Sequence, residues 1–414
     1  MDTSPSSSPE WLGLGLLACA GLLGCSDPLP SVAADLGGPP SPQADAGHGR
    51  DLSDGEDMAS PTDMAVDASV DVDAAGPATI GVFVATGAVG RRVVSFDDGH
   101  TWGVDLSGSS DEVCSSDQPV NLCFEGRHAS RGGAFGDGFF YATYGWTREA
   151  GRANRVLRSA DGSEWESVLE PGGFGGVAAG NGVVVLAGVS GSRTIHVSDD
   201  HGESWETVDN GLGTWVNIRS ADFLPSAGGL FVLGGDGNGF EAHHAIVSED
   251  GRAWRTPESI PAACPTNFRL YGGFGFIGDR VVMVGRDGAN CYSDDSGRTW
   301  RRGETIGPEV RSQGLVSTGD GEILAWSTDR VHRTADGVEW TSDPLTPPGV
   351  SIGAVARNPR TGTFVAVTSG YRNGYASQQF YRSADGRAWE LLEPDAFPQG
   401  HPIVELDFGT IPAP

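Results

Sequence analysis

The stretch Ser95 to Trp102 reads S-F-D-D-G-H-T-W, and six more versions of it recur along the 414-residue chain. They are SADGSEW from Ser159, SDDHGESW from Ser198, SEDGRAW from Ser248, SDDSGRTW from Ser293, TADGVEW from Thr334 and SADGRAW from Ser383. The tryptophans that end them, Trp102, Trp165, Trp205, Trp254, Trp300, Trp340 and Trp389, are 63, 40, 49, 46, 40 and 49 residues apart. A period in that range belongs to propeller blades or solenoid units, so the phrase decides the architecture.

Each part of the phrase has work to do at a tight turn. Gly99, Gly162 and their counterparts supply a positive φ without steric cost. The aspartates before them, Asp97, Asp161, Asp200, Asp250, Asp295, Asp336 and Asp385, are able to accept from the turn's own amides, and the Ser or Thr hydroxyl adds a second local bond. The tryptophan then opens the next strand with a large apolar face and an indole N–H that needs one partner.

These residues resemble the Asp-box, or bacterial neuraminidase repeat, S-x-D-x-G-x-T-W. Three copies have the full eight-residue form and four omit one residue before the glycine. The resemblance implies a propeller in which each box sits, as a structural element, in the turn between the third and fourth strands of a blade.

Composition agrees with many short strands joined by glycine turns: 38% of residues are apolar, 63 are Gly and only four are Met. No lysine occurs, so all 27 basic residues are arginine, and lysine Schiff-base or general-base chemistry is excluded. The formal charge of −28 includes −10 from Ser26 to Thr79 and leaves −16 for residues 80–414. Phosphate-backbone binding requires a basic footprint, so nucleic acid is not an expected partner.

Trp11 to Leu23 forms an apolar run too short to span a bilayer and suited to a signal-peptide core. It ends L-L-G-C, which resembles a bacterial lipobox and implies lipidation of Cys25 as the mature N-terminus. The ten residues before the run carry Asp2 and Glu10 and no Arg, unlike the usual positively charged start. Residues 26–79 are rich in Asp, Ala, Pro, Ser and Gly and read as a disordered acidic linker, with aspartate spacing that lacks the glycine and terminal glutamate of a calcium loop. The expected order is therefore signal peptide 1–25, linker 26–79 and propeller 80–414, placing the protein on the bacterial cell envelope through an N-terminal lipid anchor. Cys114, Cys123, Cys264 and Cys291 could pair locally as two disulfides, 114 with 123 and 264 with 291, or remain free thiols.

Within the repeats, four short strands recur, best seen as 175–180, 183–189, 194–198 and 205–209 in the third copy. The first copy lacks an innermost strand, whereas IVELDFG at 403–409 follows the seventh copy unclaimed. The expected fold is all-β: a seven-bladed β-propeller of four-stranded antiparallel blades, with the first blade closed by the C-terminal strand, which removes an open sheet edge.

With boxes on one face, binding should use the other, built from second-to-third-strand loops and blade connections. The candidates there are Arg127, Arg219, Arg269 and Arg311 near the starts of innermost strands, with Trp146, Trp215, Glu241, Tyr371 and Tyr375 in the longer loops. Converging arginines would hold a carboxylate or sulfate bidentately; alternatively each pairs with a local acid. The aromatic residues could stack on sugars or a protein partner, or pack at blade junctions. His243 and His244 are adjacent and would point to opposite strand faces, a poor chelate, so no metal and no cofactor are expected.

Sialidases are Asp-box propellers with three arginines on the substrate carboxylate, a Tyr/Glu nucleophile pair and an acid/base Asp. This chain matches the boxes but shows no F-R-I-P-like start, and seven boxes stand against the six blades of sialidases. Asp-box propellers also occur in plant-polymer glycan hydrolases, sortilin-type receptors and a photosystem assembly factor, so fold alone implies no activity. The reading taken forward is a monomeric, non-catalytic binding or scaffold propeller for a protein or glycan. The alternative is a sialidase-like glycoside hydrolase acting on a sugar acid.

Overall fold

The computed structural model describes residues 78–413 except 88–89, 107–129, 145–154, 171–173, 189–192, 213–216, 226–227, 237–244, 266–271, 286, 308–309, 311–314, 369–377 and 398–401. Seven antiparallel sheets follow one another. Their innermost strands are Ile403–Pro412, Ser130–Gly136, Phe174–Gly180, Asn217–Leu224, Gly272–Ile277, Val316–Ser317 and Ile352–Arg357. Each touches the next around a closed ring, the last returning to Ile403–Pro412. The fold is a seven-bladed β-propeller.

Strand limits follow the sequence pattern closely. Blade 3 runs Phe174–Gly180, Val183–Gly188, Thr194–Ser198 and Glu206–Asp209. Blade 1 is completed as expected: Ile403–Pro412 pairs antiparallel with Thr79–Gly87 along its whole length, from Thr79 opposite Pro412 to Gly87 opposite Ile403. Alternation along these strands sends residues to two different neighbours. In Thr79–Gly87, Phe83 and Ala85 pack toward blade 7, while Val82 and Val84 pack toward blade 2.

Blade 4 departs from the four-strand expectation. After its third strand Ala245–Ser248, the fourth position is held by the bridge between Val247 and Arg255 alone. Pro257 and Pro261 follow at once, and proline cannot donate to a ladder. The chain instead crosses to blade 5, where Ser259 pairs in parallel with Thr299 and accepts from Trp300 N. A disulfide between Cys264 and Cys291 joins this crossing segment to the third strand of blade 5.

The seams between blades are built around the boxes. A Cβ placed on the box glycine would strike the preceding blade in six seams: Gly99 meets Val365, Gly162 meets Val84, Gly251 meets Val185, Gly297 meets Val247, Gly337 meets Val282 and Gly386 meets Leu324, while at Gly202 it would come into tight contact with Val168 and with Trp205 of its own box. These glycines also have φ between +70° and +96°. Glycine is thus required twice, for the left-handed turn and for close approach of the neighbouring sheet. The carbonyl just before the glycine is a second joint. In five seams an arginine of the preceding blade donates to it: Arg158 to His201, Arg255 to Ser296, Arg280 to Asp336, Arg333 to Asp385 and Arg382 to Asp98.

The ring-closing seam has more. The Asp98 carboxylate accepts from Asn358 Nδ2 at 2.8 Å, Thr361 Oγ1 at 3.0 Å, Thr363 Oγ1 at 2.5 Å and Arg382 Nη2 at 3.2 Å, all in blade 7. The two ends of the ring are therefore joined by a shared sheet and by a charge-assisted latch.

Candidate functional site

All seven boxes lie in turns between third and fourth strands, or where the fourth strand would begin, and so on one face of the disc. Their polar groups are used within the turn. Asp97 accepts from Ser95 Oγ at 2.8 Å, Thr101 N at 2.9 Å and Thr101 Oγ1 at 2.6 Å, while Ser95 Oγ accepts from Gly99 N at 3.0 Å. Asp161, Asp200, Asp250, Asp295, Asp336 and Asp385 repeat the arrangement with the Ser or Thr and the amides that follow them. At Asp97 partial burial works against the charged form, but the bonds from Thr101 and Ser95 outweigh it and the carboxyl sits below its ordinary value. Bonds from Ser204 drive Asp200 the same way with little opposition.

The tryptophans divide. Indole Nε1 of Trp165, Trp254 and Trp300 donates to the carbonyl of the box's own glycine, at 2.8, 2.8 and 3.1 Å, and Trp205 donates to Val168 O at 3.0 Å. Trp102, Trp340 and Trp389 have no partner for Nε1 among the described residues, so the expected bond is absent from three boxes. Their rings nonetheless pack into blade junctions.

On the opposite face, the residues singled out in sequence fall mainly outside the described residues: Arg127, Arg269, Arg311, Trp146, Trp215, Glu241, Tyr371 and Tyr375. Cys25, Cys114 and Cys123 do too. Arg219 is placed by its backbone. Ile218 pairs with Gly235 and Ser220 with Gly234, which leaves Arg219 as the extra residue of a β-bulge. The same bulge occurs near the start of the innermost strand in blades 1, 2, 3 and 7, with Val404, Arg131, Gly175 and Gly353 as the extra residues. Bulges disrupt a ladder locally and are over-represented at rims and sites. Arg131 in blade 2 thus holds the register position of Arg219 in blade 4, with a glycine between them in blade 3. Sequence reading chose Arg127 instead. Counting back five residues from the last residue of each strand would have found Arg131.

Two acids of the innermost strands lack the boxes' support. Burial pushes Asp222 up to about 6 although Ser220 Oγ donates to it at 2.6 Å. Burial alone takes Asp407 up to about 7. Both are partly touched by solvent while enclosed by protein atoms. The Asp407 carboxylate lies against Gly133 of blade 2, where a Cβ would come within 1.9 Å of Oδ2. These acids belong to blades 4 and 1, on strands that are not neighbours in the ring. His332 is buried between Ser342 Oγ at 2.7 Å and Ser327 Oγ at 2.9 Å, and burial drops it to about 4, so it is a neutral structural imidazole at pH 7. Among the described residues no group of three or more His, Cys, Asp or Glu is placed to hold a metal.

No protein-family model matches the chain, and no curated protein matches it in sequence. Similar solved structures include YCF48 bound to a D1 peptide, 16% identical over 68% of this chain and 84% of that one, with TM-score 0.47. A catalytically inactive virginiamycin B lyase from Staphylococcus aureus with quinupristin is 12% identical over 64% and 83%, with TM-score 0.48. The β-propeller domain of Cps50 (Swd1) from Myceliophteria thermophila is 14% identical over 67% and 89%, with TM-score 0.48. Likeness at this level bears on neither activity nor ligand.

Proposed function

We propose that this chain is a non-catalytic binding or scaffold propeller, held to the bacterial cell envelope by a lipid on Cys25 and standing off it on the acidic linker 26–79. It works as a monomer and takes a protein or glycan on the face opposite the boxes. The observation that carries this reading is the internal use of the carboxylates and hydroxyls of the box turns. Seven turns there have their carboxylates and hydroxyls bonded internally, six have the glycine amide bonded to the Ser or Thr hydroxyl as well, and five receive an arginine from the preceding blade. A surface whose polar groups are already satisfied has little to offer a ligand. The other face carries the strand-start bulges, with Arg131 and Arg219 as the extra residues of blades 2 and 4.

The resemblance of the repeated phrase to an Asp-box, a structural element in the propellers that carry it, supports this reading. The test is capture of envelope components by the full-length protein, run beside release of sialic acid from a chromogenic sialoside. Binding with no hydrolysis is expected. Turnover of the sialoside, or failure to bind any envelope protein or glycan, would overturn the proposal. For the anchor, Cys25→Ala should move the protein from the membrane to the soluble fraction.

A further inference from the structure

The seam between blades 1 and 2 holds a cation that no described carboxylate neutralises. Arg92 stands opposite Thr86 in blade 1, and Tyr144 stands opposite Arg155 in blade 2. Alternation turns both pairs into the same seam: Val84 and Val94 flank the first pair, Phe140 and Ala142 lead to the second. All four residues lie at the end where second strands pass into third strands, which is the face opposite the boxes.

Arg92 is only 6% exposed, and its Nε has no hydrogen-bond partner among the described residues. No described carboxylate forms an ion pair with it. Its guanidinium rests 5.8 Å from the centre of the Trp165 ring. Arg155 is close enough that, after burial, the charge of Arg92 is what most holds its own pKa down, and Glu170 acts on Arg155 in the opposite sense. Asp407 faces the seam near Tyr144, whose hydroxyl burial pushes up to about 12, so the phenol is a neutral hydrogen-bonding group there. The adjacent Arg91, by contrast, is paired at both Nε and Nη2 with Asp105, at 3.1 and 3.0 Å. A nearly buried guanidinium without a counter-charge is costly, and a carboxylate brought by a ligand would offset that cost.

We propose that this seam is the docking site for a glutamate side chain of an acidic peptide, received by the guanidinium of Arg92 with Arg155 as the second positive charge. The low exposure of Arg92 selects the ligand. A carboxylate on a slim unbranched stem reaches an arginine of such low exposure, whereas the carboxylate of a sugar acid is mounted directly on a bulky ring. Guanidinium forks match carboxylates in geometry as well as charge.

The inference rests on the proposed use of this face for binding, and the two fail separately. A partner captured equally well by wild type and Arg92→Gln would leave the face in use and remove this site. The test is calorimetric titration of the full-length protein with a blocked glutamate tetrapeptide, the matching glutamine tetrapeptide and glucuronate. The glutamate peptide should bind and the other two should not. Arg92→Gln should weaken binding at least about tenfold, the loss expected for a charge-assisted bond, and Arg92→Lys should recover part of it. Without peptide, the unfolding temperature of Arg92→Gln should not fall, because an unpaired buried charge has been removed. Arg155→Gln, at a more exposed position, should cost about threefold in affinity and provides a readout should Arg92→Gln not fold. No binding of the glutamate peptide by wild type, unchanged affinity in both glutamine variants, or equal binding of glucuronate would each overturn the proposal.

Discussion

Carboxylates at the box turns and carboxylates on the innermost strands are treated oppositely by the same fold. At the turns, Asp97 and its six counterparts accept bonds from hydroxyls and amides a few residues away and are held below their ordinary values. On the innermost strands, Asp222 and Asp407 are enclosed with little or no support and are pushed up. The first set repeats with the blades and the second does not. Residues that repeat fasten the ring together, and the chemistry left over for a ligand has to be sought among residues that break the repeat, such as Arg92, Arg219 and Asp407.

The sharpest way to break this comparison is at a box glycine. In Gly337→Ala the new Cβ would meet Val282 Cγ2 at 2.4 Å from a φ of +71°, so a loss of roughly 3 kcal/mol or more is expected by chemical denaturation. Gly138→Ala, at φ +86° in a hairpin with nothing within 4 Å, should cost only about 1 kcal/mol. Equal losses would mean that the glycine serves the turn and not the seam.

Removing a box carboxylate comes next. Asp97→Ala strips acceptors from Ser95 and Thr101 and should cost about 2 kcal/mol. Because the box acids are lowered in the folded state, their contribution is present above the ordinary carboxylate value of about 4 and is lost as pH falls through their folded values. Asp98→Ala should cost slightly less, about 1–2 kcal/mol. Its distinct signature is faster amide exchange along both Thr79–Gly87 and Ile403–Pro412, since the latch to blade 7 closes the ring.

Asp407→Asn should act in the opposite direction. With a folded pKa of about 7, the acid keeps its proton in the native state while the unfolded chain releases it from about pH 4 upward. Native protein then binds more protons than unfolded protein, so stability declines between about pH 4 and pH 7 and stays reduced above. The variant should therefore be more stable than wild type at pH 8, by on the order of 1 kcal/mol, with the advantage gone below pH 4. A variant less stable at pH 8 would show that the ionised carboxylate has a partner.

Blade number, strand rhythm and ring closure were legible because the box recurs with fixed chemistry and IVELDFG stood without a sheet. The second requirement on the box glycines was not, since contact with Val282 or Leu324 of the preceding blade leaves no local signature. The arginines before the box Ser or Thr, Arg158, Arg333 and Arg382, are a signal that reading passed over, and all three bind the next blade's box. In blade 4, Pro257 and Pro261 announced a shortened fourth strand. Arg92 was hidden by its position: a residue at the start of a third strand looks like ordinary strand edge until the facing blade supplies Tyr144 and Arg155.

The division of the disc into a fastening face and a binding face is tested most directly by photo-crosslinking in cells. The crosslinker would be placed singly at Arg193, Asp287 and Asp329, exposed near second-to-third-strand turns, and at Glu164, Glu203 and Arg298, exposed in boxes. Adducts to an envelope component from at least one of the first three positions and from none of the last three are the expected result. Adducts arising mainly from Glu164, Glu203 or Arg298 would contradict the assignment of the faces.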